Sequence, residues 1–142
     1  DYYYFKRGYY ESIIAGLKDH YQFFYAKKDE KIIAVSIILF ANRRMHYHLS
    51  ASRKEFQKYA PTNLLLYEAS KFGIDMGFES FHLGGGVGSK EDGLYKFKKA
   101  FNKNENKHYC IGKKIYDEQK YDQLVKCRKD IKNENFFPKY RG

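Results

Sequence analysis

The spacing of hydrophobic residues changes several times along the chain, and each change marks a predicted element. From Tyr3 to Lys18 apolar residues recur every three or four positions, which predicts a helix. Residues 20–27 are rich in aromatic side chains and residues 45–51 alternate between apolar and polar, so both ranges predict strands. Residues 31–41 are apolar at nearly every position, which predicts a central strand covered on both faces.

Helices and strands alternate in the second half of the chain. Pro61 favours the first turn of a helix, and Gly77 marks the end of that helix. This order predicts the α/β class, as an α+β mixed sheet flanked by helices, in a single domain over residues 1–142. Beyond Gly77 we predict strands over 78–83 and 108–116 and helices over 92–101 and 118–131.

Three histidines are candidate functional residues. Strict alternation along residues 45–51 places His46, His48 and Ser50 on one face of the strand, and Met45, Tyr47 and Leu49 on the other. These histidines, and His82 on the next strand, are either ordinary surface residues or groups that orient the acceptor or move its proton. A metal site would need a further ligand that no spacing indicates, so we predict no metal.

A cleft is predicted where two of the strands end. We expect the strands ending near Ser50 and Leu83 to be neighbours that diverge. The glycine run Gly84–Gly88 follows the second of these strands. These glycines serve either to allow positive φ angles or to let the backbone approach a substrate closely. No Gly-Lys-Ser/Thr follows them, so this is not a P-loop.

Lys98 is singled out by its position on the predicted helix over 92–101. At 3.6 residues per turn, Leu94, Phe97 and Phe101 form an apolar stripe that we expect to be buried, and Lys98 lies at its edge. Lys98 either buries its aliphatic stem and extends its amine to water or serves as a cation that stabilises negative charge on a bound substrate. The solvated face of this helix is predicted to carry Lys96, Lys99 and Lys103.

Composition limits the class of protein. Hydrophobic residues make up 43% of the 142 residues, which is enough for one core without disulfides. No apolar run reaches the roughly 20 residues that a membrane-spanning helix needs. Cys110 and Cys127 are too few for a disulfide framework, so we predict reduced thiols, one on a strand and one on a helix, and a cytoplasmic location.

The net charge of +10 leaves two interpretations open. The lysines either form solvated faces or attract a polyanionic partner such as RNA, a nucleotide cofactor or a lipid-linked phosphate. On charge alone we favour solvated faces, and charge does not choose among the three polyanionic partners.

The blocks H-Y-H-L-S-A-S, P-T-N-L-L-L-Y-E-A, F-H-L-G-G-G and D-G-L-Y-K-F-K-K-A-F follow one another between His46 and Phe101. This succession resembles the C-terminal acyltransferase domain of the Fem family of aminoacyl transferases and its relatives in the GNAT superfamily. The resemblance implies a GNAT-like fold and a cationic role for Lys98 in acyl transfer. We take Lys98, His48 and His82 as catalytic candidates. The candidates for binding substrate or cofactor are Gly84, Gly85, Gly86, Tyr95, Phe97, Thr62 and Asn63.

The resemblance also implies substrates and partners. The donor would be aminoacyl-tRNA, and the acceptor a cell-wall precursor or another envelope or polysaccharide precursor. A related GNAT-like domain would precede Asp1, so we expect this chain to be the C-terminal part of a longer protein. The basic face on the helix over 92–101 would then meet tRNA.

The segment before the helix that begins at Pro61 bears on which acyl donor is used. Ordinary acetyl-CoA-dependent GNAT enzymes hold pyrophosphate with a glycine-containing loop before their main helix, whereas Lys54 to Thr62 contains no glycine. We therefore expect weak acetyl-CoA binding. Two alternatives stay open: an acyl-CoA-dependent N-acyltransferase acting on a sugar or other amine, and a non-catalytic module that binds tRNA or a partner.

Overall fold

The computed structural model describes residues 4–104, 106–108 and 110–142, which form two compact units, 1–103 and 104–142. The prediction of a single domain within a longer protein stays a prediction. Tyr3 and Tyr109, which two of the predicted elements include, lie outside the described residues. The first unit contains, in order, α1 (Arg7–Leu17), β1 (Tyr21–Lys28), β2 (Lys31–Ala41), β3 (Arg44–Ser52), α2 (Pro61–Asp75), β4 (Ser80–His82) and α3 (Gly93–Lys99).

A mixed sheet organises the first unit, as predicted, and it contains four of the five predicted strands. Its order is β1-β2-β3-β4, with antiparallel pairs between β1, β2 and β3 and a parallel pair between β3 and β4. The doubly apolar strand β2 lies inside the sheet between β1 and β3, and its consecutive residues Ile37 and Ile38 are both buried, so both of its faces are covered.

Helix α2 covers one face of the sheet. Leu65 and Ala69 are buried against small and branched residues of β1 and β2, in clusters that include Ala34 and Ile38. Gly77 follows the helix with a φ of 72°, the left-handed conformation that favours glycine after a helix end. Phe72 packs partly buried on the same side, whereas Met76, directly after the helix, is exposed.

Helix α1 buries a narrower stripe than the sequence predicts. Ile13 is buried, whereas Ile14 and Leu17, which share the predicted stripe, are exposed. The helix also begins four residues later than predicted, at Arg7.

The described residues of the second unit contain the α-helix α4 (Glu118–Cys127) and a tail that packs on it through a short 3-10 helix, Lys139–Arg141. Tyr121 of α4 stacks on Phe137, with ring centroids 6.1 Å apart, and its hydroxyl accepts a hydrogen bond from the Lys139 backbone N–H. Cys127 lies on α4, as predicted.

The strand predicted over 108–116 is wrong for the residues that the structure describes there. Residues 108 and 110–116 contain no strand, and Cys110 is therefore not on one. Gly112 and the following lysine pair interrupt the apolar pattern, and Ile111 and Tyr116 are exposed. A strand needs a paired partner and a covered face, and these side chains have no covering layer.

In the described part of the chain, no helix has both the length and the apolar character needed to cross a membrane.

Candidate active site

The strands β3 and β4 diverge as expected. Their parallel pairing covers only three residue pairs, from Arg44 with Ser80 to His46 with His82, while β3 continues to Ser52. In the described part of the chain, the backbone edge of β3 beyond His46 therefore has no neighbouring strand on this side.

A cleft of about 420 Å³ lies along this unpaired part of β3. Its remaining wall comes from the segment that leads into α2 and from α3. The cleft is lined by Tyr47, Ser50, Ala51, Ser52, Gln57, Ala60, Pro61, Thr62, Asn63, Leu94 and Phe97.

A β-bulge decides which residues of β3 reach this cleft. Ile37 pairs with Leu49 and Ile38 pairs with Tyr47, so His48 is an extra residue in β3. The bulge reverses the alternation beyond it, and Ser50 joins Tyr47 in the cleft wall. The prediction that Ser50 shares a face with the histidines is therefore wrong.

The segment before α2 makes its turn without glycine. Ala60 has φ 47° and ψ 47°, a left-handed conformation, and its backbone N–H donates to Gln57 O at 2.9 Å. Pro61 then occupies the first turn of α2, where a missing N–H costs no helical hydrogen bond. The conformation that a glycine would favour is thus present, and the absence of glycine does not by itself argue against a phosphate site here.

The histidines form a cluster on the other side of β3, which we call the histidine cluster (His46, His48, His82 and Tyr9). His46 Nδ1 and His82 Nδ1 are 3.0 Å apart, and the two rings stack with centroids 5.2 Å apart. The Tyr9 hydroxyl of α1 lies 2.5 Å from His48 Nε2. The cluster joins three elements: α1, β3 and β4.

Burial alters the acid–base properties of this cluster. Burial lowers the pKa of His46, and the positive charges of His82, His48 and Lys98 lower it further. Burial also lowers the pKa of His48. Both groups therefore favour the neutral form, which can accept a proton.

Lys98 lies between the histidine cluster and the cleft. Its Nζ donates to Gly85 O at 2.9 Å and lies 5.6 Å from the centroid of the Tyr47 ring. Burial lowers the pKa of Lys98, and the charge of Asp92 partly offsets that effect. The side chain is half-buried, so the amine is held at the cleft mouth instead of extending freely into water.

Of the three candidate glycines Gly84, Gly85 and Gly86, the first and the last occupy positions where another residue would not fit. Gly84 has a φ of 77°, and a Cβ there would lie 3.3 Å from Lys98 Nζ. A Cβ on Gly86 would collide with Lys90 O and the Asp92 carboxylate. The Asp92 carboxylate accepts from the N–H groups of Tyr95 and Val87, and these bonds hold its pKa below the usual range. Tyr95 thus helps to anchor the start of α3 through its backbone.

Helix α3 does not bury the predicted stripe. Leu94 is 41% exposed and Phe101 is 42% exposed, because Leu94 and Phe97 face the cleft rather than a packed layer. Lys96 and Lys103 are exposed, as predicted, but Lys99 is half-buried and makes an interaction of its own.

The predicted site residues therefore separate into three places in the first unit. The cleft is lined by Thr62, Asn63 and Phe97. The histidine cluster contains His48 and His82. Between these two places lies Lys98, which is bonded to Gly85 of the glycine run. Sequence reasoning missed Tyr9, Tyr47 and Ala60 as site residues. Tyr47 was assigned to the packed face, and neither a tyrosine on α1 nor an alanine before a proline carries a signal for a site.

Comparison with known proteins gives a family match and several structural matches. The family model described as acetyltransferase (GNAT) domain matches residues 2–99. No curated protein matches the chain.

The matching solved structures include an aminoglycoside acetyltransferase, meta-AAC0020, from an uncultured soil metagenomic sample, in complex with sisomicin. It is 13% identical, with a TM-score of 0.56, over 79% of this chain and 78% of that chain. Aminoglycoside N-acetyltransferase AAC(6')-Iy in complex with CoA is 15% identical, with a TM-score of 0.55, over 77% of this chain and 90% of that chain. A GNAT family acetyltransferase from Staphylococcus aureus is 16% identical, with a TM-score of 0.54, over 80% of each chain. At these identities the structural matches show the fold.

Proposed function

This chain belongs to the acetyltransferase (GNAT) family, and from that premise we propose that it transfers an acyl group from acyl-coenzyme A to an amine. The observation that carries the proposal is the cleft at the start of α2. There the left-handed Ala60 turns the chain so that Pro61, Thr62 and Asn63 form its wall.

The cleft has the features needed by an acyl-coenzyme A donor. The helix dipole places partial positive charge at the start of α2, where Pro61 has no N–H and the Asn63 N–H donates to Ala60 O at 3.0 Å. The dipole and the Thr62 N–H are therefore what α2 offers to a diphosphate. Leu94 and Phe97 add an apolar wall for the pantetheine arm. One solved structure of this fold, AAC(6')-Iy, contains CoA, which supports the same donor here.

The reaction is attack of a neutral amine on a thioester carbonyl. As the carbon–nitrogen bond forms, negative charge develops on the carbonyl oxygen. Lys98, whose Nζ lies 5.6 Å from the ring of the cleft residue Tyr47, is the candidate to stabilise that charge. His48 and His82 stand as candidates to orient the amine or take its proton.

The acceptor we propose is an amine on a sugar or another neutral or anionic carrier. The chain carries a net charge of +10, which repels polycations over several ångströms. Lys98 and the three histidines of the cluster add cationic or titratable nitrogen atoms at the site itself. An aminoglycoside, which is a polycation, is therefore a poorer acceptor for this chain than an amino sugar phosphate.

A second candidate is transfer from aminoacyl-tRNA to a cell-wall precursor by a Fem-like enzyme. The specific block G-L-Y-K-F-K-K-A-F on and around α3, together with the net charge of +10, favours it. This candidate would bring a preceding GNAT-like domain, and either candidate fits a cytoplasmic enzyme. A module that only binds tRNA is the outcome that remains if neither donor reacts.

Release of coenzyme A thiol tests the proposal. With acetyl-CoA as the donor, we expect thiol release that depends on added amine and is faster with glucosamine 1-phosphate than with sisomicin. Aminoacyl transfer from charged tRNA, with no reaction from acetyl-CoA, would instead support the second candidate.

A further inference from the structure

One pair of histidines joins the two strands that diverge at the cleft. From their geometry we propose that His46 is a positioning residue that fixes the tautomer of His82, so that Nε2 of His82 takes the proton from the acceptor amine. This inference rests on the proposed acyl transfer and assigns a task to His46 that the family match does not.

The hydrogen bond between the two rings restricts their protonation. It joins Nδ1 to Nδ1 at 3.0 Å, so in the neutral pair one Nδ1 carries a hydrogen atom and the other accepts it. The donating ring then has a free lone pair on Nε2, and the accepting ring carries its own hydrogen atom on Nε2. The pair therefore presents one free Nε2 lone pair, together with one Nε2–H.

The surroundings indicate which ring takes the additional proton. His46 is half-buried, and burial first and then the nearby titratable groups oppose its protonation: His82 on β4, His48 on β3 and Lys98 on α3. Its remaining strand neighbour is the apolar Leu39 of β2. His82 is exposed at the end of β4, next to the glycine loop. The free lone pair is therefore expected on His82, with His46 as the acceptor of the Nδ1 hydrogen bond.

The register of the sheet holds this arrangement. His46 and His82 are the last paired residues of β3 and β4, and their rings are nearly parallel, with an interplanar angle of 19°. His48, the bulge residue, is hydrogen-bonded to the Tyr9 hydroxyl instead and does not compete for the pair. Backbone pairing thus aligns the rings before any substrate binds.

The proton transfer balances as an ordinary aminolysis. The amine nitrogen forms a bond to the thioester carbon, and the carbonyl electron pair moves to oxygen. One proton passes from nitrogen to His82 Nε2, and the imidazolium keeps its Nδ1 hydrogen bond to neutral His46. The carbonyl re-forms as the carbon–sulfur bond breaks, and the thiolate leaves with that electron pair and is protonated from solvent.

The tautomers of the protein labelled with ¹⁵N-histidine test the pairing without any turnover. Two-bond ¹H–¹⁵N correlations at a pH where the pair is neutral should show His82 as the Nδ1–H form and His46 as the Nε2–H form. Free neutral histidine favours Nε2–H, so the Nδ1–H form of His82 is the diagnostic result. Nε2–H forms on both rings would overturn the proposal.

Kinetics of matched variants test the role in catalysis. His46→Phe keeps a ring but removes the acceptor, and should lower kcat by roughly tenfold to a hundredfold with little change in KM. His46→Asn places an amide oxygen near the former Nδ1, so it should recover most of the lost rate and keep the Nδ1–H signal of His82. His20→Phe, at the far edge of the sheet on the segment before β1, serves as the control and should react as the wild type does.

The outcomes separate this inference from the proposed function. Thiol release by His46→Phe at the wild-type rate would overturn the positioning role while leaving acyl transfer intact. Absence of turnover with acetyl-CoA in the wild type would overturn the proposed function and with it the proton transfer, while the tautomer signals would still decide the pairing.

Discussion

The two faces of β3 use the same strand for different purposes. On the face toward α2, Met45 is 1% exposed and packs with Ile38 and Ala69. On the opposite face, His46 and His48 are only half-buried and are held by hydrogen bonds to other side chains. Packing on the first face depends on shape and volume, whereas contacts on the second depend on the placement of single nitrogen atoms. We therefore expect stability and activity to respond to different substitutions along one strand.

The largest expected effect on stability comes from the packed face. Met45→Ala removes a fully buried side chain and leaves a cavity beside α2, which should lower the free energy of unfolding by about 2–5 kcal/mol. Denaturant unfolding measures this loss. A loss below about 1 kcal/mol would contradict the claim that packing on the face toward α2 stabilises the protein.

The largest expected effect on activity comes from Lys98. Lys98→Met keeps the stem but removes the charge, and should lower kcat by roughly 10²–10³-fold if that charge stabilises the transition state. The control is Lys96→Met on the same helix, since Lys96 is exposed whereas Lys99 makes a contact. Equal rates of thiol release in the two variants would leave Lys98 with a packing role only.

A smaller effect is expected at the turn before α2. Ala60→Val places a β-branched side chain in a left-handed conformation, which should cost roughly 1–3 kcal/mol and weaken acetyl-CoA binding. Ala60→Gly relieves that conformation and should keep binding at the wild-type level. Weaker binding in the glycine variant, by calorimetry, would contradict the assigned role of this turn.

The smallest effect is a dependence of stability on pH. The pKa of His46 and that of His48 are lowered in the folded protein, chiefly by burial. Below the unfolded pKa of about 6.5 the unfolded chain takes up protons that the folded protein resists, so stability falls as pH falls toward the folded pKa values. We therefore expect the free energy of unfolding, measured with denaturant, to fall less from about pH 7.5 to about pH 5.5 in His46→Phe than in the wild type. An equal or larger loss in the variant would contradict this account.

Sequence patterns predicted the sheet better than they predicted the site. The doubly apolar run over 31–41 and the alternation over 45–51 each follow from burial, so β2 and β3 could be predicted from pattern alone, whereas the cleft between β3 and β4 was expected from the resemblance to GNAT-like domains. The bulge at His48 could not, because it carries no glycine and adds one residue to an otherwise regular alternation. That one residue is what moves Ser50 into the cleft.

The other errors share a physical origin. Leu94 and Phe97 have the period of a buried stripe, but the same period serves a helix whose apolar side faces an open cleft. Ala60 adopts a conformation that sequence patterns reserve for glycine, because the surrounding turn holds it there. Tyr9 reaches His48 across 39 residues of sequence, a contact that no local pattern contains.

The central claim is that the cleft at the start of α2 binds an acyl-coenzyme A donor, and calorimetric titration with acetyl-CoA tests it most directly. Thr62→Glu adds a negative charge at a helix N-terminus, where it favours the helix but repels a diphosphate. Thr62→Gln is the neutral control. We predict binding in the micromolar range for the wild type and for Thr62→Gln, and binding weakened by roughly tenfold or more in Thr62→Glu. Absence of binding to the wild type, or equal affinity in all three proteins, would contradict the account.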